Sequence, residues 1–254
     1  MQLIKTLISA AAILLATLAA AANEQYTPDT LEFPSSAPLV FASNPVLNLP
    51  EGVAIEFWVV TDWPGNPGYH PVVLANGNAA TPIYHVSITA DQDAMIFQSG
   101  REFGLFPFDF SDGRTHHVIL LDYEEQIVAF IDGKLVGAVA MSIKPGVGNE
   151  FFVGSAAGGK APFMGAVAAV RIWDVPPAPE DAAEFALRDI NDINDPHPNL
   201  DNLVGLSDFR NRTFSVVDSL VLNESELMTR AEVIDTLGEA EVQALDLEFA
   251  STTG

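Results

Sequence analysis

From residue 31 to residue 173 the chain alternates short apolar runs with clusters of Gly, Pro, Asn, Asp and Ser. "VAIEFWVVTD" (53–62) is rich in β-branched and aromatic residues and breaks at the turn-forming "WPGNPG". "HPVVLANGNAATPIYHVSI" reads as two strands around Asn76-Gly77, and "DAMIFQSG", "EFGLFPFDF" and "RTHHVILLDY" follow, each bounded by turn residues. Strands at this spacing, with no helical periodicity between them, predict an antiparallel sandwich or jelly roll rather than a parallel α/β sheet. The pair Asp132-Gly133 lies between two apolar runs, which predicts a hairpin over 127–139, because Gly accepts the positive φ of a type I′ turn. In 115–122 both alternating sets are apolar: His117, Ile119 and Leu121 on one face, Val118 and Leu120 on the other. That is the pattern of an interior strand covered on both sides.

Beyond Trp173 the texture changes. "PPAPEDAAEFALRDI" has an early Pro, acids in its first turn and apolar residues at Ala183, Phe185, Ala186 and Leu187, which predicts a short helix. A polar loop, "NDINDPHPNLDN", follows, and "LVGLSDF" and "RTFSVVDSLVL" return to strand character. In the last stretch Leu227, Ala231, Ile234 and Leu237 are spaced as on a helix. The first residues, "MQLIKTLISAAAILLATLAAAANEQ", combine Lys5, an apolar run and small residues at Ala20 and Ala22, the form of a secretory signal peptide. The expected organisation is a signal peptide over 1–22, a β domain over 23–220 and a C-terminal extension over 221–254. Export places the protein in a secreted or periplasmic location, with no membrane insertion after signal cleavage.

Composition narrows the partners. A net charge of −23 repels nucleic-acid phosphates and anionic lipids, so neither is an expected partner. With no cysteine, the exported domain must be held by its core, for which 48% hydrophobic residues suffice.

The segments "LNLPEGVAIEFWVVTD", "GRTHHVILLDYEEQIVAFIDGKLVGAV", "FFVGS" and "PFMGAVAAVRIWDVPPAPED" occur in an order and spacing that resemble the laminin G-like and pentraxin-like domains of the concanavalin A-like superfamily. The resemblance covers roughly residues 31 to 218. It implies an all-β, two-sheet antiparallel jelly roll, with a short helix after the main strands and glycans bound at the rim or on the concave sheet, often with calcium. In pentraxin-like members the calcium loop matches "VGSAAGGKAPFMG", where Ser155, Ala156, Ala157 and Gly158 offer little side-chain oxygen. Calcium takes roughly 6–8 oxygen ligands, so that site is not expected here. The ExDxE strand of the glucanase members, which sets both catalytic carboxylates on one face, is absent as well.

The remaining polar residues are weighed by position. His116 and His117 are consecutive on a strand and face opposite ways, which suits scaffold better than a shared metal. Asp122, Glu124 and Glu125 fall at a strand end, where acids usually face solvent. Glu56 shares a strand face with Trp58 and either lines the sheet or points to water, while Trp58 and Trp173 are read as packing. Trp63, Tyr69 and His70 lie together in a Pro/Gly loop, and they are the candidate ligand-binding residues. Trp63 either stacks on the apolar face of a sugar or folds back over the sheet edge. Asp192, Asn194, Asp195 and Asp201 are candidate calcium donors, with Asp91 and Asp93 as a second set. The expected function is a non-catalytic recognition module for a glycan or another extracellular polymer. The alternatives are a structural domain that binds an extracellular protein and a glycoside hydrolase with an unfamiliar acid pair.

Overall fold

The computed structural model describes residues 30–33, 38–42, 52–77, 82–123, 125–144, 150–185, 197, 199–208 and 213–216. The chain divides into two units, Met1–Val217 and Asp218–Gly254, and every described residue falls in the first. The expected signal peptide and C-terminal helix therefore lie outside the described residues.

The strands are β1 (Thr30–Phe33), β2 (Leu39–Phe41), β3 (Ala54–Thr61), β4 (Val72–Gly77), β5 (Pro82–Ile88), β6 (Ala94–Ser99), β7 (Glu102–Pro107), β8 (His116–Asp122), β9 (Ile127–Ile131), β10 (Lys134–Val139), β11 (Phe151–Val153), β12 (Gly165–Trp173), β13 (Leu203–Asp208) and β14 (Thr213–Val216). They form two antiparallel sheets. The larger, of eight strands, runs β10-β9-β8-β3-β12-β13-β14, with β1 also pairing β12; the smaller, of six, runs β2-β11-β4-β5-β6-β7. One helix, α1 (Pro179–Phe185), follows β12, carrying Glu180 and Asp181 in its first turn where the helix dipole favours them. The all-β sandwich expected from the spacing of the apolar runs is thus present, short helix included.

Period-two alternation divides the large sheet cleanly. Ile55, Phe57 and Val59 of β3 and Val118 and Leu120 of β8 pack between the sheets, against Tyr84, Val86, Phe97, Phe106 and Phe151 of the small sheet. Ala54, Ile119, Leu121 and Trp173 face the other way, under Ala182 and Phe185 of α1. Every residue of β8 is buried, as a strand apolar on both faces should be. The Asp132-Gly133 turn joins β9 and β10 with φ of 50° and 69°, the double positive φ of a type I′ hairpin.

Two local expectations need correction. Asn76 and Gly77 do not form a turn; they are paired strand residues opposite Tyr84 and Pro82, so β4 runs through them. Asp122 does not face solvent, because β8 carries it into the sandwich, where it is 1% exposed and accepts the Ile143 amide at 3.3 Å. Glu125, in the turn after it, is exposed.

Candidate functional site

Two polar constellations and one rim stand out. The first is built on the outer face of β3, β8 and β12. Glu56 is register partner to Arg171, and Trp58 to His117. The Glu56 carboxylate accepts from His117 Nε2 at 2.9 Å, from an Arg171 guanidinium nitrogen at 3.2 Å and from Trp173 Nε1 at 3.0 Å. Arg171 in turn lies 4.7 Å from the centre of the Trp58 ring, a cation–π contact. Burial pushes the Glu56 carboxyl up, but Arg171 and His117 outweigh it and hold it below its ordinary value. His197 stacks on Trp173 and meets Phe185 edge-on, so Phe185 of α1 and His197 roof the cluster. Glu56 is completely buried, neither lining an open sheet nor solvated, which corrects both readings offered by the sequence. What admits Arg171 to the cluster is a bulge. The β3–β12 register shifts between Ala168 and Arg171, with Ala169 at φ 36°, and the Val170 amide freed by it donates to Ser207 Oγ at 2.7 Å. Every side chain of the cluster is buried, and we assign the constellation to holding α1 on the sheet.

The second constellation lies at the start of β8 on the inner side. His116 is 1% exposed, with Nδ1 2.8 Å from Asp132 and Nε2 2.9 Å from Asp112. Asp132 also accepts the His117 amide at 3.0 Å. The two histidines therefore use opposite faces and different partners.

The rim is assembled from the loop after β3 and the β5–β6 turn. Trp63 donates its indole N–H to the Ala90 carbonyl at 3.0 Å, the Ala90 amide donates to His70 Nδ1 at 3.1 Å, and Gln92 Nε2 donates to the Trp63 carbonyl at 3.0 Å. Asn66 Nδ2 donates to Asp91 at 2.9 Å. Tyr69 donates its hydroxyl to the Pro162 carbonyl at 3.1 Å, adding the loop before β12. Gln92 sits at φ 61° in the β5–β6 turn, whose other end is closed by Thr89 Oγ1 donating to Asp93 at 2.6 Å. Two loops that are separate in sequence are thus cross-braced, and they leave Asn66, His70, Asp91 and Asp93 exposed.

Trp63, Tyr69 and His70 all belong to this rim, but not in one role. Trp63 is 5% exposed and packs edge-on against Phe163, so of its two readings the structure adopts the one folded back over the sheet edge. Tyr69 is half-buried and His70 exposed. The bracing partners Asn66, Gln92 and Asp91 were missed in the sequence reading as a group, and the signal that marks them is slight: one Asn in a Gly/Pro loop and one hairpin turn. Among the described residues, no three His, Asp or Glu side chains gather as a metal site. Asp91 and Asp93 are engaged by Asn66 and Thr89. Of the other calcium candidates, Asp201 is exposed in a short 3₁₀ turn, and Asp192, Asn194 and Asp195 lie outside the described residues. Phe103 on β7, 74% exposed, is an aromatic that does stand in solvent, on the outer face of the small sheet.

The model of a family described as the concanavalin A-like lectin/glucanases superfamily, laminin G type, matches residues 34–183. None of the curated proteins matches the sequence. Among solved structures, a native heptameric SAP-like pentraxin from Limulus polyphemus superposes with a TM-score of 0.51 at 12% identity, over 75% of this chain and 92% of the pentraxin. Domain 4 of an extracellular arabinanase from Geobacillus stearothermophilus, in complex with arabinotriose, gives 0.49 at 14% identity, over 65% of this chain and 83% of that domain. At such identities the pentraxin likeness speaks for the fold alone.

Proposed function

Because the chain belongs to the laminin G-like family of the concanavalin A-like lectin/glucanase superfamily, we propose that it is an exported, non-catalytic recognition module that binds a glycan through its rim. The observation that carries this reading is the cross-bracing of the loop after β3 with the β5–β6 turn. Rigid loops bind with little ordering cost, and here the braces fix a row of exposed amide, imidazole and carboxylate groups. Such a row suits the hydroxyls of a sugar. Tyr69 and His70 are its contact residues, and Trp63 is its internal support rather than a stacking platform. With Nδ1 occupied as an acceptor, the Nε2–H of His70 is the donor it can offer a ligand. Calcium is not required for this mode. No catalytic step is proposed, since the ExDxE triplet is absent from the sequence and the buried Glu56 is already committed to Arg171.

The test is a broad glycan array run with calcium and again with chelator, on the unaltered protein, His70→Ala and Trp63→Ala. Binding in both conditions, lost in His70→Ala with a small fall in melting temperature from the one brace it gives up and lost in Trp63→Ala with a larger fall, is the expected result. Silence on the array would move the reading to a structural domain with an extracellular protein partner. Binding that vanishes with chelator would replace the rim by the Asp/Asn-rich segment.

A further inference from the structure

His116 closes a junction of three elements. Asp112 comes from the loop between β7 and β8, Asp132 from the β9–β10 turn, and His116 itself opens β8. Both ring nitrogens meet carboxylate oxygens, Nδ1 that of Asp132 at 2.8 Å and Nε2 that of Asp112 at 2.9 Å. A carboxylate only accepts, so both bonds exist together only when both nitrogens carry protons, that is, in the imidazolium. A neutral ring must turn one lone pair toward an ionised carboxylate.

We propose that His116 is a proton-operated latch, which holds the 108–114 loop against the β9–β10 turn and the rim while protonated and loosens that loop when it loses the proton. The latch reaches the rim through two aromatic residues. Phe108 and Phe110 pack edge-on against the His116 ring at 4.9 and 5.6 Å. The Phe110 amide donates to the Gln92 carbonyl at 2.8 Å and the Phe108 amide to the Asp93 carbonyl at 3.0 Å. The Phe110 carbonyl accepts from Thr61 Oγ1 at 2.6 Å. The loop the latch retains is therefore the backing of the β5–β6 turn.

The charged groups that face the ring are Asp132 across from it, Asp112 and Asp109 on the loop, and Arg114, whose guanidinium holds Asp112 at 2.7 Å. Burial pulls the imidazole down, but Asp132 and Asp112 together raise it above its ordinary value. The sign follows. A raised value means that the latch contributes fully below the unfolded histidine value, about 6.5, and that its contribution is lost as pH climbs through the folded value.

The experiment is amide hydrogen exchange on the full chain between pH 5 and pH 9, corrected for intrinsic rates, with the Phe108 and Phe110 amides read against Ile119 and Leu120 of β8. The expected result is that protection at Phe108 and Phe110 falls with rising pH relative to the β8 amides, by up to about tenfold for each unit by which folding raises the imidazole. In His116→Gln, or in Asp112→Asn where one partner stays in place, that fall flattens. Protection that tracks β8 across the whole range, or a fall of the same size in a folded Asp112→Asn protein, overturns the latch.

Discussion

Glu56 is completely buried, so each of its three partners matters. Taking one member from a buried charge pair typically costs ~3–5 kcal/mol, whereas replacing the pair with apolar residues can be neutral. Urea denaturation of Glu56→Gln and Arg171→Met is expected to show a loss in that range for each, with Glu56→Leu/Arg171→Met recovering most of it. Equal, small losses in all three would mean the charges are not coupled. The carboxyl also sets an acid limit. Its folded value lies below the ordinary 4.5, so its contribution is present above that value and disappears as pH falls through the lower folded one. Urea midpoints taken from pH 6 downward should therefore fall more gently in Glu56→Gln than in the parent. At this scale the sequence was half legible. Alternation alone separated His116 from His117. It did not say that the face bearing Glu56 would be roofed, since a strand with a polar outer residue looks the same under water and under a helix.

Among elements, the β9–β10 hairpin was the easiest to read, and its turn is sensitive to substitution. Gly133 has φ +69°, and a Cβ there would come within 2.7 Å of the Ala183 carbonyl oxygen in α1, so the turn and the helix are fitted to each other. Gly52, at φ +78°, has nothing within 4 Å of the same point. Both Ala variants bear the left-handed backbone penalty, about 1–2 kcal/mol. Gly133→Ala must also displace the helix, and calorimetry should show the larger fall in melting temperature for it. An equal fall would mean that α1 gives way freely. The bulge at Ala169 was not legible, because alanine carries no bulge preference and the Ser207 hydroxyl that satisfies the Val170 amide sits 37 positions beyond Val170. The helix was, since a Pro start and early acids act locally.

The chain has no cysteine and carries a net charge of −23, so self-repulsion opposes the compact state of its sandwich with no disulfide to hold it. Salt should raise the melting temperature as the Debye length shrinks from ~30 Å at 10 mM toward ~3 Å at 1 M. A temperature that is flat or falling over that range would show that local ion pairs outweigh the global repulsion. Fold class was readable at this scale because four segments stood in order along the chain, and between them they hold β3, β8 to β10, β11 and β12. The rim was not, because its braces join the two loops across 20 to 29 positions through atoms that no period reveals, and because a loop tryptophan reads equally well as platform or pillar. The claim that the rim is where this protein meets its ligand is tested most directly by chemical-shift mapping of the ¹⁵N-labelled protein, titrated with the tightest glycan from the array. The account predicts shifts concentrated at residues 62–70 and 89–93. Shifts centred instead on Gln98, Phe103 and Leu105 of the small sheet's outer face would contradict it.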